Sequence, residues 1–220
     1  GLEAARSAFY SGDVAQRIVD FHRDEGGYLS KDDLSEFRSS YEVPVATRWR
    51  DQTLYTCGPW CQGPMLAQAL TMLEKAGINH LDHNSAPYVH LISEVFKAAF
   101  SDREHHYGDP RHVVVDLDLL FSEEHIARRL AAIDLKRAMP GMPPGLYGDA
   151  AEYVVSHELP QHPGDTSYVC VIDRWGNAFS ATPSDATWRG PVIPGLGIVI
   201  STRGSQSKPN PLHPAGVGPG

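Results

Sequence analysis

Apolar positions recur at helical spacing through most of the chain and give way to strand-like runs near its end. Leu2 to Phe9 predicts a short helix. Behind Ser11-Gly12-Asp13, the stripe Val14, Ile18, Val19 and Phe21 predicts a helix to about Glu25, which Gly26-Gly27 stops. Ser30-Lys31-Asp32-Asp33 is a capping arrangement before Leu34 and Phe37. Val43 to Trp49 and Leu54 to Cys57 read as two strands around Arg50-Asp51-Gln52. The loop Gly58 to Pro64 leads into a helix expected from about Met65 to Ala76, with Leu66, Ala69, Leu70 and Leu73 on one face. Asn84-Ser85 caps a further helix, with Pro87 in its first turn and Val89, Ile92, Val95, Phe96 and Phe100 as core positions. Asp102-Arg103-Glu104 is its expected end. Val113-Val114-Val115 is apolar but too short to assign. Ser122-Glu123-Glu124 opens a helix through about Ile133, and Pro and Gly make Met139 to Asp149 a loop. Gly197 to Thr202 is a last strand candidate before a Pro/Gly-rich tail. Helical pairs followed by a strand-rich end predict an α+β or layered α/β fold, not alternating βαβ units.

The stretch Thr166 to Ser184 predicts a β-hairpin. Thr166 to Asp173 is rich in β-branched and aromatic residues. Arg174-Trp175-Gly176-Asn177 supplies the turn, with Gly176 and Asn177 free to take positive φ, and Asn177 to Thr182 returns as the partner strand. Thr166 opens the hairpin and Ser184 closes it, so a tight pairing brings the two hydroxyls together. The breaker-rich linker Pro160-Gln161-His162-Pro163-Gly164 precedes it and is expected to be exposed. Two readings fit these residues: an ordinary edge strand after a loop, or a place where the chain is cut to expose an N-terminal Thr. In the second, the freed α-amine, with a pKa of about 7.7–8.0 in an unperturbed terminus, takes the proton of the Thr hydroxyl.

Composition narrows the choice. With 220 residues and 41% apolar content the chain has room for one large core or two small ones. A formal net charge of −8 argues against nucleic acid and anionic membrane as partners, and no apolar run spans a bilayer. The chain starts at Gly1, carries no signal-peptide pattern and stops in loop-like sequence, so it is expected to be a fragment, and it specifies no compartment. Three cysteines are too few for a disulfide framework. Cys57 and Cys61 are separated by three residues, whereas the redox motif has two, so the spacing argues against a redox pair. Cys170 reads as a small buried strand residue. His157 and His162 stand five apart with Pro160 between them, which breaks the helix a zinc-protease motif needs. His80, His83, His90, His105 and His106 lack companion ligands and read as solvated or capping residues. Gly195-Leu196-Gly197 reads as a turn. No metal or cofactor is expected.

Five stretches together resemble the γ-glutamyltransferase (glutathione hydrolase) family: Tyr10 to Ala15; Gly26 to Leu34; Cys57 to Pro64 ahead of the Met65 helix; Asp102-Arg103 with Tyr107-Gly108-Asp109-Pro110; and Asp165 to Ser184. The resemblance covers nearly all of the chain. It implies an N-terminal-nucleophile hydrolase with an αββα sandwich, incomplete here at both ends, and a precursor that cuts itself between Asp165 and Thr166. Residues 1–165 then belong to the large subunit and 166–220 to the small one. Thr166 is the implied nucleophile, passing an acyl group from a small amide to water or an amine, and Ser184 the implied supporting hydroxyl. The oxyanion donors are implied to lie outside residues 1–220, so the fragment alone is expected to be inactive.

The sequence also departs from the family. Where glutathione enzymes of the family hold the substrate's α-amine, this chain has Ala186, Arg203 and Gln206. An Arg cannot hold an ammonium group but binds a carboxylate bidentately; the alternative for Arg203 is a solvated surface charge. The altered loop Gly58-Pro59-Trp60-Cys61-Gln62-Gly63-Pro64 is a second departure. The expectation is a γ-glutamyl amidohydrolase of the glutathione type. Its alternatives are a relative acting on a different small acidic amide and a non-catalytic binding protein on the same fold.

Overall fold

The computed structural model describes residues 1–143, 166–184, 190–201, 204, 207–208, 210 and 212–216. It divides into two compact units: Gly1–Ser40 with Ser156–Gln206, and Tyr41–Val155 with Ser207–Gly220. Helices and strands are mixed, and the described strands form three separate antiparallel pairs. Among the described residues no helix is long and apolar enough to cross a membrane.

The first unit opens with helices α1 (Leu2–Tyr10), α2 (Asp13–Asp24) and α3 (Lys31–Glu36). Gly26 takes a φ of 76° after α2, the left-handed geometry that ends a helix without a Cβ penalty. Ser30 caps α3 through a full capping box with Asp33. Hydrogen bonding to Ser30 is the main reason the Asp33 carboxyl is held below its usual range. Tyr10 stacks on Phe37 with ring centroids 5.7 Å apart, and Arg6 donates to the Phe37 carbonyl, so α1 and the end of α3 are stapled together. Ala15 and Ile18 of α2 are buried, as is Ile193 of the small hairpin β5 (Val192–Ile193) and β6 (Ile198–Val199). The strand candidate at Gly197 to Thr202 is thus shorter than expected. The turn at Gly195-Leu196-Gly197 is present, with positive φ at both glycines. Strands β3 (Val169–Ile172) and β4 (Ala178–Ala181) complete the unit.

In the second unit, β1 (Val45–Trp49) and β2 (Gln52–Thr56) pair with Trp49 opposite Gln52 across a two-residue turn. Arg50 takes a φ of 55° there, and its amide is tied to Glu74 at 3.1 Å. Helix α4 (Gly63–Lys75) packs along α5 (Ala86–His106). Small residues on both, Ala69 with Ala98 and Ala99, are fully or almost fully buried in one core cluster, which suits closely packed helices. The core continues through Met65, Met72, Leu73, Leu91, Val95, Leu120 and Ile126. A short helix α6 (Leu117–Leu120), not expected from the sequence, leads into α7 (Glu123–Ala131), which ends two residues before Ile133. Ser85 and Ser122 cap α5 and α7 by accepting from the backbone amides of Tyr88 and His125.

Two helix faces differ from the apolar pattern. In α4 the buried side carries Met65, Gln68, Ala69 and Met72, while Leu66 is 39% exposed. In α5 the helix runs on to His106, so Asp102-Arg103-Glu104 does not end it; Asp102 and Glu104 turn inward and Val89 outward. The reason is a buried polar cluster. The Asp102 carboxylate, fully buried, accepts from Gln68 Nε2 at 2.7 Å, His125 Nε2 at 2.7 Å and Arg129 Nε at 3.2 Å, with a second bond from the Arg129 guanidinium. Arg128 donates to Nδ1 of His125, which puts that ring's proton on Nε2. Farther along, Glu104 pairs with Arg103, Lys208 and His213. Gly108 follows α5; a Cβ there would lie 2.2 Å from the Pro214 carbonyl oxygen, so the close chain approach requires glycine.

Candidate active site

The hairpin β3–β4 places the two hydroxyls of interest. Its register pairs Val169 with Ala181 and Ile172 with Ala178. The Ser167 amide donates to the Pro183 carbonyl at 3.1 Å, so the pairing continues past the regular strand to the Thr166–Ser184 level. Side chains alternate across a strand. Thr166, Tyr168 and Cys170 therefore share one face with Ser180 and Ser184.

The turn at the other end holds this register. The Asp173 carbonyl accepts from the Gly176 amide at 3.1 Å, and Gly176 takes a φ of 84°. A turn followed by a left-handed glycine suits the right-handed twist of a hairpin. Asn177 does not take positive φ, contrary to expectation. It clasps Asp173 instead, its side-chain amide donating to Oδ2 at 2.8 Å and its backbone amide to Oδ1 at 2.9 Å. The Asn177 side chain is the main cause that keeps the Asp173 carboxyl below its usual range. Arg174 lies over the Trp175 ring, 4.1 Å from its centroid.

At the open end, Thr166 Oγ1 and Ser184 Oγ are 2.5 Å apart, within hydrogen-bond reach, and either hydroxyl can be the donor. Thr166 is exposed and Ser184 half-buried. Ser180 Oγ donates to the Tyr168 hydroxyl at 3.2 Å, a second cross-strand hydroxyl pair on the same face. Period-2 alternation from Thr166 marks Tyr168 and Ser180 as facing the same way, a signal present in the sequence but not used there. Cys170, expected to be buried, is exposed. Asp165, Ala186, Arg203 and Gln206 lie outside the described residues, as do His157 and His162. Thr166 and Ser184 are thus the sequence-derived site residues that the structure brings together. Among the described residues no group of three His, Cys, Asp or Glu side chains is arranged to hold a metal ion.

A hairpin with a hydroxyl pair at its open end, in a mixed helix-and-strand chain, is matched over residues 3–219 by the Gamma-glutamyltranspeptidase family model. The chain belongs to that family. It is 31% identical over 205 residues to the glutathione hydrolase-like YwrD proenzyme of Bacillus subtilis (strain 168), a match over 92% of this chain and 36% of that protein. It is 28% identical over 216 residues to the acylase ACY 1 proenzyme of Pseudomonas sp. (strain V22), over 97% of this chain and 36% of the relative. A solved structure of an LmbA2991 variant superposes with a TM-score of 0.82 at 33% identity, over 99% of this chain and 40% of the other. The chain therefore spans a little over a third of the length of these relatives.

Proposed function

We propose that the protein is a γ-glutamyltransferase-family amidohydrolase that cuts its own chain between Asp165 and Thr166 and then works through Thr166. The observation that carries this reading is the 2.5 Å contact between Thr166 Oγ1 and Ser184 Oγ. In the precursor, Thr166 Oγ1 attacks the carbonyl carbon of the preceding residue through a five-membered ring, and the Asp165–Thr166 amide becomes an ester. Water hydrolyses the ester and leaves Asp165 with a carboxylate and Thr166 with a free amine. That amine accepts the Thr166 hydroxyl proton as the oxygen attacks the substrate amide. An acyl ester forms on Thr166, the leaving amine takes the proton, and water or an amine acceptor releases the acyl group. Residues 1–165 form part of the large subunit and 166–220 part of the small one. The proenzyme relatives support a precursor that is processed.

Glutathione-type γ-glutamyl amides are the first substrate class, with water as the acceptor. A specific observation favours a second one. Ala186, Arg203 and Gln206 stand where the family's glutathione enzymes hold an ammonium group, and Arg203 suits a carboxylate. A small acidic amide fits that set, and the acylase relative supports non-glutathione substrates. The test is to express the full-length protein, determine its chains by mass spectrometry, and compare a γ-glutamyl anilide with short acidic amides. Two chains with Thr166 at a new N-terminus are expected; an intact chain that still turns over amides would overturn the mechanism.

Ser184→Ala should lower kcat by about 10²-fold, the usual size of a lost proton-handling group, with little change in KM. Ser184→Thr restores the hydroxyl and should recover most of the rate. Steady-state kinetics on full-length, fully processed enzyme checks both.

A further inference from the structure

Each compact unit draws on both sides of the Asp165–Thr166 bond: Gly1–Ser40 shares the first with residues up to Gln206, and Tyr41–Val155 shares the second with Ser207–Gly220. In the second unit the crossing contact is made by the loop of residues 208–216, whose ends meet. The Lys208 amide donates to the Ala215 carbonyl at 3.1 Å, and Lys208 bridges to Gly216. Within the loop the His213 amide donates to the Asn210 carbonyl at 3.0 Å, and the Gly216 amide to the His213 carbonyl at 2.7 Å. A loop of this length with its ends together is a compact unit in itself. It also aims His213: the Ala215 amide donates to Nδ1 at 2.8 Å, so the proton of the neutral ring sits on Nε2. Nε2 then donates to Glu104 Oε2 at 3.4 Å, and Lys208 Nζ lies 3.3 Å from the same oxygen. Arg103 takes the other carboxylate oxygen at 2.8 Å. Glu104 and His213 are each only 6% exposed. Burial alone raises the Glu104 pKa, but Arg103, Lys208 and His213 outweigh it and hold the carboxyl below its usual range. Beside this cluster Gly108 meets the Pro214 carbonyl with no room for a Cβ, so the loop fits the end of α5 by shape as well as by charge.

We propose that the loop of residues 208–216 is a clasp by which the processed small subunit docks on the large subunit at the end of α5, with Glu104 as its socket. The clasp presupposes the cut proposed above between Asp165 and Thr166. In an uncut chain the covalent link keeps the loop near its socket at high effective concentration. After the cut that link is gone, and the loop is held by its contacts. Undocking then strips the buried Glu104 carboxylate of Lys208 and His213 and leaves it Arg103 alone of these three partners, which disfavours release.

The test makes its own cut. In full-length protein carrying Thr166→Ala, residues 160–164 are replaced by a site-specific protease sequence. Samples are compared before and after cleavage by amide hydrogen exchange and by size exclusion in graded urea. In cut protein with an unaltered clasp, the amides of Lys208, His213, Ala215 and Gly216 should stay protected and the two chains should elute together. Glu104→Gln puts an NH2 where a carboxylate oxygen faced donors; Gly108→Ala drives a Cβ into Pro214 and touches no charge. Each should speed exchange of those amides in cut protein at least about tenfold, the size of a lost hydrogen bond to a charged group. Each should also lower the urea concentration at which the chains part. A cooperative unfolding transition in the uncut form of each variant shows that its fold survives. Loop amides released by the cut alone, or exchange and chain separation unchanged by both variants, would overturn the clasp. Self-cleavage is read separately, by mass spectrometry of wild-type protein, so the cut and the clasp can fail independently.

Discussion

Thr166→Ala should leave the full-length protein as a single uncut chain with no measurable amide turnover. Both losses follow from one atom. Without Oγ1 there is no nucleophile to convert the Asp165–Thr166 amide into an ester and none to form the acyl-enzyme. Removing a sole nucleophile costs at least about 10⁴-fold in kcat. The loss will not be a folding defect, because Thr166 is exposed and exposed substitutions of this kind change stability by only about 0.5 kcal/mol. Thr166→Ser separates the steps further: it keeps an oxygen at the same place and should still cut, more slowly. In processed wild-type enzyme the α-amine must be neutral to take the hydroxyl proton. kcat/KM should therefore fall on acidification below the terminal amine's pKa, about 7.7–8.0 when unperturbed. Mass spectrometry of the purified chains and a pH series of amide hydrolysis read out both predictions.

The hairpin was legible because its signals are local. Alternation, a Gly-containing turn and two hydroxyls at matched distances from it determine which residues meet. Helix starts at Ser30, Ser85 and Ser122 were legible for the same reason, since a capping side chain bonds within three residues of itself. Other features depend on partners far along the chain. Gln68 turns into the core because Asp102 waits for it 34 residues later, and no periodicity of apolar residues can report that. Asp102 and Glu104 looked like a helix terminus because carboxylates inside a helix pair are rare unless paired. Their partners, Arg129 and Lys208, stand outside the segment. At the site, the sequence supplied Thr166 and Ser184; Tyr168 and Ser180 emerged only once the register was known.

The second large effect is expected from Asp102→Asn. Asp102 is the sole carboxylate among the side chains that bond to it here, and every group facing it is a donor: Gln68 Nε2, His125 Nε2 and the Arg129 guanidinium. An asparagine sets its own NH2 against one of these donors and takes the carboxylate charge away from the buried Arg129 guanidinium. Breaking a buried pair from one side costs about 3–5 kcal/mol. That is a large share of the stability of an ordinary domain, about 5–15 kcal/mol. Urea unfolding of the full-length protein at pH 7 should show a midpoint lowered accordingly; a shift under about 1 kcal/mol would mean that the cluster is not the anchor of α4, α5 and α7. The pH dependence carries the sign. Burial alone raises the Asp102 pKa, but hydrogen bonds from His125 and Arg129 and their charges outweigh it, so the carboxyl is held below its usual range. A carboxyl depressed on folding contributes stability above its unfolded pKa of about 3.9. That contribution is lost as pH falls through this value toward the folded one. Wild-type protein should therefore lose stability as the pH falls below about 4, the unfolded value, toward the lower folded one. Asp102→Asn has already lost the titrating group, so its stability should fall less over the same interval, and the two unfolding curves should converge as the solution is acidified.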